Sequence, residues 1–454
     1  PRQWRAWPGE LLMSAGVFKA LNATFDNSFV GRQGIKMLLR GEVKLWAKTA
    51  ATSFKIFGSD LATKGPGIFK KRDSAALDMI YADLFSRQNA MNGKYYASKN
   101  KYFLDIDKEE AFPSAQPERI PVLGRLFRAS ESAYAGAALK MRADFADLLI
   151  DQAEKNGIDM LDQNQATSFG KLVGSMTGRS GLGRLEPVGD VLNIYLFSPR
   201  FLASNFNTIT GHLFDQTITP QARKVAAKNT LRVAAGLATV LTVAKTLDPD
   251  SVTFDTRSSN FGKICKGKRC FDISGGMGGL ITLGSRIIPT KHNDEWGFWR
   301  KDKYGNLEKM RGDYGEYTPL DTFVDFWLNK SSPSAGVFRD VWNGQNFSGD
   351  KPGVVNTTIG LITPISAQNL FEEVQKGSDD ILMVMLAEAL GFSPSTNGFY
   401  GTGTRWQELK KQVDGVEFQE TLQQATDNFK ELLEKNTKTY RWKNLTNEER
   451  EKEV

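Results

Sequence analysis

VAAGLATVLTVA, Val233 to Ala244, runs almost directly into VTFDTRSSNFGKICKGKRCFDISGG, Val252 to Gly276, and the change of pattern between them decides the fold. Ala234, Ala235, Gly236, Ala238 and Thr239 are small residues of the kind that lets a helix approach its neighbours closely. The run is twelve residues long, short of the roughly 20 that a bilayer requires, so it reads as a buried helix of a helical bundle. An interfacial position is the alternative, with Arg232 and Lys245 snorkelling at its ends. The flanks are basic throughout: Arg223, Lys224, Lys228, Arg232 and Lys245 occur with no acidic residue between Asp215 and Asp248. The second stretch follows strand rules. Phe254, Ile264, Phe271 and Ile273 are separated by the turn-rich TRSSN and KGKR, which predicts a small meander with a basic tip at Lys266, Lys268 and Arg269.

Outward from this point most segments predict helix. In Val43 to Phe57 the positions Val43, Trp46, Ala47, Ala50, Ala51 and Phe54 form an apolar stripe, with Lys44, Lys48 and Lys55 off it. Tyr134, Ala138, Met141, Phe145, Leu148 and Leu149 repeat the spacing, as do Phe418, Leu422, Ala425, Phe429, Leu432 and Leu433. Ser378 with Asp379 and Asp380 opens a short helix that Gly391 closes, Pro364 to Ser366 opens another, and Thr446 with Glu449 makes a capping box near the end. WGFWRKDKYGNLEKMRGDYGEY, between Pro289 and Thr318, reads as a long loop with a hairpin at Tyr304 to Asn306. The expected fold is mainly α, an elongated multi-helix assembly with a small β insertion near 252–276. Its regions are a basic front (1–115), a helical domain (116–250), the hairpin and loop (251–318), a second helical part (319–400) and C-terminal amphipathic helices (401–454).

The 454 residues carry a net charge of +7, and between Pro1 and Asp73 thirteen Lys and Arg face five Asp and Glu. A basic front attracts polyphosphates and anionic lipid alike. Arg2, Trp4, Arg5 and Trp7, followed by Lys44, Trp46, Lys48, Phe54 and Lys55, suit base stacking with phosphate neutralisation, or anchoring at a lipid interface, or a plain core with solvated lysines. The first residue is Pro1, which suggests a piece or processed product of something longer, and no cleavable signal peptide is visible.

Chemistry is scarce. There are two histidines and two cysteines, which leaves His-based acid-base and nucleophilic arrangements barely available. Cys265 and Cys270 face each other across the predicted hairpin, where two half-buried thiols are expected rather than a cross-strand bond. With His212 and His292 they reach the number of a zinc site at unconvincing spacing. The glycines of Gly174 to Gly183 and Gly275 to Gly279 lack any phosphate-loop motif and predict turns and close helix contacts. Only the carboxylates around Asp313 to Asp325 speak for an enzyme. No catalytic residue, cofactor or metal is expected.

Six stretches resemble the C-terminal region of the very large polyvalent proteins of bacteriophages and conjugative elements: DNSFVGRQG (Asp26 to Gly34), RIPVLGRLFRASESAYAGAALKMRADFADLLI (Arg119 to Ile150), LFSPRFLASNFNTITG (Leu196 to Gly211), DTRSSNFGKI with FDISGG (Asp255 to Gly276), KSSPSAGVFRDVWNGQNFSGD (Lys330 to Asp350) and LITPISAQNLFEEVQKG (Leu361 to Gly377). Their order over Asp26 to Phe392 is what carries the likeness. The resemblance implies a segment of a giant phage protein, carried in the virion and delivered with the genome, whose enzymatic domains lie elsewhere. The KGKR tip, bracketed by cysteines, is more basic than this resemblance implies. The expected function is that of an internal virion or DNA-ejection protein, with other virion proteins and further copies of itself as partners, and phage DNA or host membrane as contacts. It would sit in the virion and, after ejection, in the host envelope or cytoplasm. A nucleic-acid-binding module acting after entry is the alternative, and an enzyme with an unrecognised carboxylate site a third reading.

Overall fold

A computed structural model describes residues 29–62, 123–189, 195–266, 269–301, 305–310 and 318–332, with isolated residues near 78–86, 192, 336 and 387–396. The chain divides into two compact units, Pro1–Asn397 and Gly398–Val454. All described residues belong to the first. The stripe from Phe418 to Leu433, the helix opened by Pro364 and the Thr446 capping box lie outside the described residues, as does most of the helix opened by Ser378.

The fold is mainly α with small antiparallel β insertions. A π-helical turn, Phe29–Gln33, leads into α1 (Ile35–Leu39) and α2 (Val43–Ala62). Then come α3 (Leu123–Lys155), α4 (Gln163–Met176), a 3-10 turn at Gly183–Val188, α5 (Pro199–Phe206), a second π turn at Asn207–Gly211, α6 (His212–Phe214) and α7 (Pro220–Leu247). One core cluster draws on Phe29 and Met37, on Met141, Phe145 and Leu149 of α3, on Phe169 and Leu172 of α4, and on Leu237 and Leu241 of α7. The stripe expected on α3 is therefore the buried one: Ala138, Met141, Phe145 and Leu149 are at most 1% exposed.

The stripe expected on α2 is out of phase. The helix buries Leu45, Thr49, Ala50, Ser53, Ile56 and Asp60; of the expected stripe Ala50 is buried and Trp46 half-buried against the core, while Val43 and Phe54 are 55% and 46% exposed. Small hydroxyl side chains make this possible, because Thr49 returns its hydroxyl to the Leu45 carbonyl at 3.0 Å and needs no partner outside the helix. Lys44, Lys48 and Lys55 are exposed as expected. The helix around Val233 is much longer than its apolar run: Thr219 caps it, its side chain accepting from the Ala222 amide, and Pro220 sits at the first helical position. At 28 residues α7 is long and apolar enough to cross a bilayer by length and composition, yet only 17% of its most apolar window is buried. Gly236 is the point of closest packing. A Cβ there would lie 1.9 Å from the Leu39 carbonyl oxygen, so the end of α1 lies directly against the α7 backbone.

The first β element is smaller than read. Strands β1 (Lys263–Lys266) and β2 (Arg269–Asp272) pair antiparallel with Cys265 opposite Cys270 and Lys266 opposite Arg269, so these basic residues are strand, not tip. Phe254 is outside the strands, at 46% exposure. The third strand of this sheet comes from far along the chain, β6 (Pro394–Thr396) on the free edge of β2. Cys265 and Cys270 form a disulfide, not the two thiols expected, because the register holds them face to face. After α8 (Met277–Ile287) the region read as a long loop is a three-stranded meander, β3 (Thr290–His292), β4 (Glu295–Lys301) and β5 (Leu307–Met310). Its first turn is Asn293-Asp294, both at positive φ (47° and 65°), the requirement of a two-residue hairpin. The hairpin expected near Gly305 joins β4 to β5. Finally α9 (Pro319–Leu328) starts with a capping box of Thr318 and Asp321. Gly391 takes φ +78°, the conformation expected of a residue that closes a helix, and the Phe392 amide donates to the Ala387 carbonyl at 2.7 Å.

Candidate functional site

Three features of the described residues can carry function: a buried polar cluster, a cavity, and two outward helix faces. The cluster begins with Lys36, which α1 places wholly inside the protein at 0% exposure. Its ammonium nitrogen donates to the Ser175 carbonyl (2.8 Å), Ser204 Oγ (3.1 Å) and Thr208 Oγ1 (3.3 Å), with no carboxylate among these contacts. Burial therefore pulls its pKa well below the ordinary lysine value. Ser204, Thr208 and His212 follow at four-residue intervals through α5, the π turn and α6, which puts all three on the face toward α4. His212 Nε2 is hydrogen-bonded to Ser175 Oγ at 2.8 Å. Desolvation lowers the imidazole pKa to about 4, against the opposing pull of Asp215, so the ring is neutral at neutral pH. A lysine beside a serine is the arrangement of a base and a nucleophile, but Lys36, Ser175 and Ser204 are sealed in and do not line the cavity. The cluster pins α1 to α4 and α5.

The cavity is half-open and holds about 1390 Å³. One part of its wall comes from α4, the Arg179 to Glu186 loop, α5 and the stretch 206–217; it carries Lys171, Arg179, Arg184, Arg200, Glu186 and His212. Arg200 is held by Glu186 at 2.6 Å, and Lys171 lies 3.6 Å from Asp215. The other part is apolar: Leu280, Leu283 and Ile287 of α8, and Phe326 and Trp327 of α9. Ile288, which also lines the cavity, is 59% exposed, and Phe323, Val324 and Leu328 of α9 are between 40% and 45% exposed.

The two outward faces lie on α2 and α7. On α2 the i, i+4, i+11 spacing sets Lys44, Lys48 and Lys55 on a single line, beside the exposed Val43 and Phe54. On α7 the buried stripe is Ala222, Ala226, Asn229, Val233, Leu237 and Leu241. The opposite face exposes Lys224, Lys228 and Arg232 with Leu231, then Ala235, Ala238, Thr239, Thr242 and Val243. Cations in the first turns of a helix oppose its dipole, so the lysines here are not placed for helix stability. The hydroxyls of Thr239 and Thr246 donate to the Ala235 and Thr242 carbonyls, each at 2.8 Å, which lowers the polarity of this face. The two helices meet at the Leu39 to Glu42 corner, where Arg40 Nε donates to Asn229 Oδ1 at 2.8 Å.

The structure thus groups some of the expected contact residues and removes others. Lys44, Lys48, Lys55, Lys224, Lys228, Arg232 and Lys266 are exposed. Arg223 is half-buried, its guanidinium donating to the Asp215 carbonyl at 3.0 Å, and Arg269 is only 6% exposed. Arg2, Trp4, Arg5, Trp7 and Lys268 lie outside the described residues. Among the described residues no group of His, Cys, Asp and Glu is placed to hold a metal: the cysteines are bonded to each other, and His292 stacks edge-on against Trp299 at 5.1 Å. Asp321 serves the cap of α9, its carboxyl held below the usual range by Thr318.

Sequence reading missed the polar cluster and the meeting of distant stretches around it. Asn205 Nδ2 donates to the Gly275 carbonyl at 3.0 Å, and Gly275, at φ +61°, has the Arg32 carbonyl so close that a Cβ would lie 2.6 Å from it. The DTRSSN turn is tied to α8 by Thr256 to Ser285 (2.8 Å) and by Arg286 to the Arg257 carbonyl (2.8 Å). Compared with known proteins, the chain matches no family model, no curated protein and no solved structure.

Proposed function

We propose that this chain is a structural association module of a bacteriophage virion protein, one that travels with the genome and engages an anionic membrane surface through α2 and α7. The resemblance of its ordered stretches to phage polyvalent proteins supports the phage setting. The observation that carries the membrane reading is the surface of α7, whose outward face sets Lys224, Lys228 and Arg232 in line with an apolar half that the core leaves uncovered. Basic residues beside an exposed apolar face suit a lipid interface, where charge draws the helix in and apolar area holds it. Further copies of the chain and other virion proteins are the partners expected in the particle.

The test is flotation with vesicles. The full chain should rise with vesicles containing phosphatidylglycerol and not with pure phosphatidylcholine, and replacing Lys224, Lys228 and Arg232 by Glu should abolish the rise. A chain that stays at the bottom of both gradients, yet retains duplex DNA with a steep salt dependence, supports the nucleic-acid module instead. Mass spectrometry of purified particles decides whether the chain is carried in the virion.

A further inference from the structure

The cavity between α4, α5, α8 and α9 has no part in the membrane reading and stands apart from the buried cluster, sharing only His212 with it. At about 1390 Å³ it exceeds the roughly 300 to 1,000 Å³ of pockets for drug-sized ligands. Its two walls differ in kind. The side chains that α8 and α9 contribute are apolar, whereas the wall from 170–217 brings four cationic side chains, Lys171, Arg179, Arg184 and Arg200, against two carboxylates, Glu186 and Asp215. Each carboxylate is already engaged, Glu186 by Arg200 and Asp215 by Lys171 and Thr217. Arg184 is exposed with no acidic partner among the described residues, which leaves positive charge in surplus on that wall. Ser180, on the same wall and 6% exposed, keeps a buried hydroxyl with no hydrogen-bond partner among the described residues, a donor that a buried site normally satisfies.

We infer that this cavity binds a long-chain anionic amphiphile, with the acyl chain against α8 and α9 and the anionic head at the Lys171, Ser180 and Arg184 wall. The head is a carboxylate or a phosphate, from a free fatty acid or from a single-chain phospholipid. Apolar length without hydrogen-bonding groups at one side and surplus cations at the other select such a ligand over a nucleotide or a sugar, which would leave the α8 and α9 side chains against polar atoms.

Gly284 provides the variant that tests it. It lines the cavity on α8, and a Cβ built on it meets nothing within 4 Å, so a larger side chain enters empty space and the helix loses a glycine. Titration calorimetry of the full chain with oleate, below its micelle concentration, should show saturable binding of one ligand per chain. Gly284→Trp should weaken this at least tenfold and Gly284→Leu less, both with unchanged circular dichroism, and Arg184→Glu should weaken it about threefold or more. Lysophosphatidylglycerol binding more tightly than oleate assigns the head to a phospholipid, and the reverse order assigns it to a free carboxylate. The inference fails if oleate binding is not saturable, if hexadecyltrimethylammonium binds as tightly as oleate, or if both Gly284 variants bind as the parent does. It also fails if those variants alter the sedimentation of the chain while leaving oleate binding intact, which would assign the apolar wall to a second copy. Because the Gly284 variants leave α2 and α7 untouched, loss of oleate binding with intact flotation separates this site from the membrane face.

Discussion

Helices α3 and α7 are the longest of the described elements, and they invert the usual relation between composition and burial. Of the two, α7 alone is apolar enough to pass for a membrane span, yet it shows most of its surface to solvent. By contrast α3, with Lys140, Arg142, Asp144 and Asp147 in its middle, buries Ala137, Ala138, Leu139, Met141, Phe145 and Ala146 completely. Core formation therefore does not explain the composition of α7. One stripe of it serves the core, as its six buried positions show, and the remaining apolar surface is left for something else.

The strongest way to break this contrast is to remove the same kind of side chain from each helix. Phe145→Ala in α3 should lower the free energy of unfolding by about 3 to 5 kcal/mol in urea titrations, since the buried ring leaves a cavity. A loss under about 1 kcal/mol would show that α3 is not the centre of the core.

Second in size is the effect of pH on the anchor of α7. His212 has a folded pKa of about 4 against an ordinary 6.5. Above pH 6.5 the ring is neutral in both states and contributes nothing. As pH falls from 6.5 to 4 the unfolded chain takes up the proton first, so stability drops by about 3 kcal/mol and flattens below pH 4. His212→Gln should remove that part of the slope. The π turn before His212 is bonded to α7 through Thr230, whose hydroxyl donates to the Thr208 carbonyl at 2.7 Å, so hydrogen exchange at pH 5 should rise in α7 before it rises in α3.

Gly236→Ala comes third. Its methyl would be driven against the Leu39 carbonyl, and a cost of about 1 to 3 kcal/mol is expected from forced separation of α1 and α7. Smallest is the effect of Leu231→Ser with Val243→Ser on the exposed face, within about 0.5 kcal/mol per site in stability, but with clear loss of flotation on anionic vesicles. A large stability loss there would mean that the face is already covered within the chain.

Legibility in the sequence followed how each residue type reports its surroundings. The stripe of α3 could be read because large apolar side chains mark it at helical spacing. On α2 the same rule points to a face rotated from the buried one, sharing Ala50 and Trp46 with it, because Thr49 and Ser53 pack inside while Phe54 does not. Lys36 looked like any surface lysine, since nothing in GIKMLLR announces that three oxygens from distant helices surround its nitrogen. A fainter signal was present in Ser204, Thr208 and His212, a polar row at four-residue spacing. The Asn293-Asp294 turn is marked in the sequence only by its two residue types, because β3 before it is three residues long and too short to show an alternation. The cavity has no signature at all, as its walls come from two stretches, 170–217 and 280–327, that are more than sixty positions apart.

Between Leu231 and Val243 the outward half of α7 is mostly alanine and threonine, and this sets how it can bind. Alanine has no rotamers to lose, and a threonine tied to its own helix has few. Immobilising a flexible side chain at an interface costs about 0.5 to 1.5 kcal/mol each, and this surface is nearly exempt from that cost. Whatever docks there orders few side chains, so the apolar half adds to the attraction of Lys224, Lys228 and Arg232 at little entropic cost.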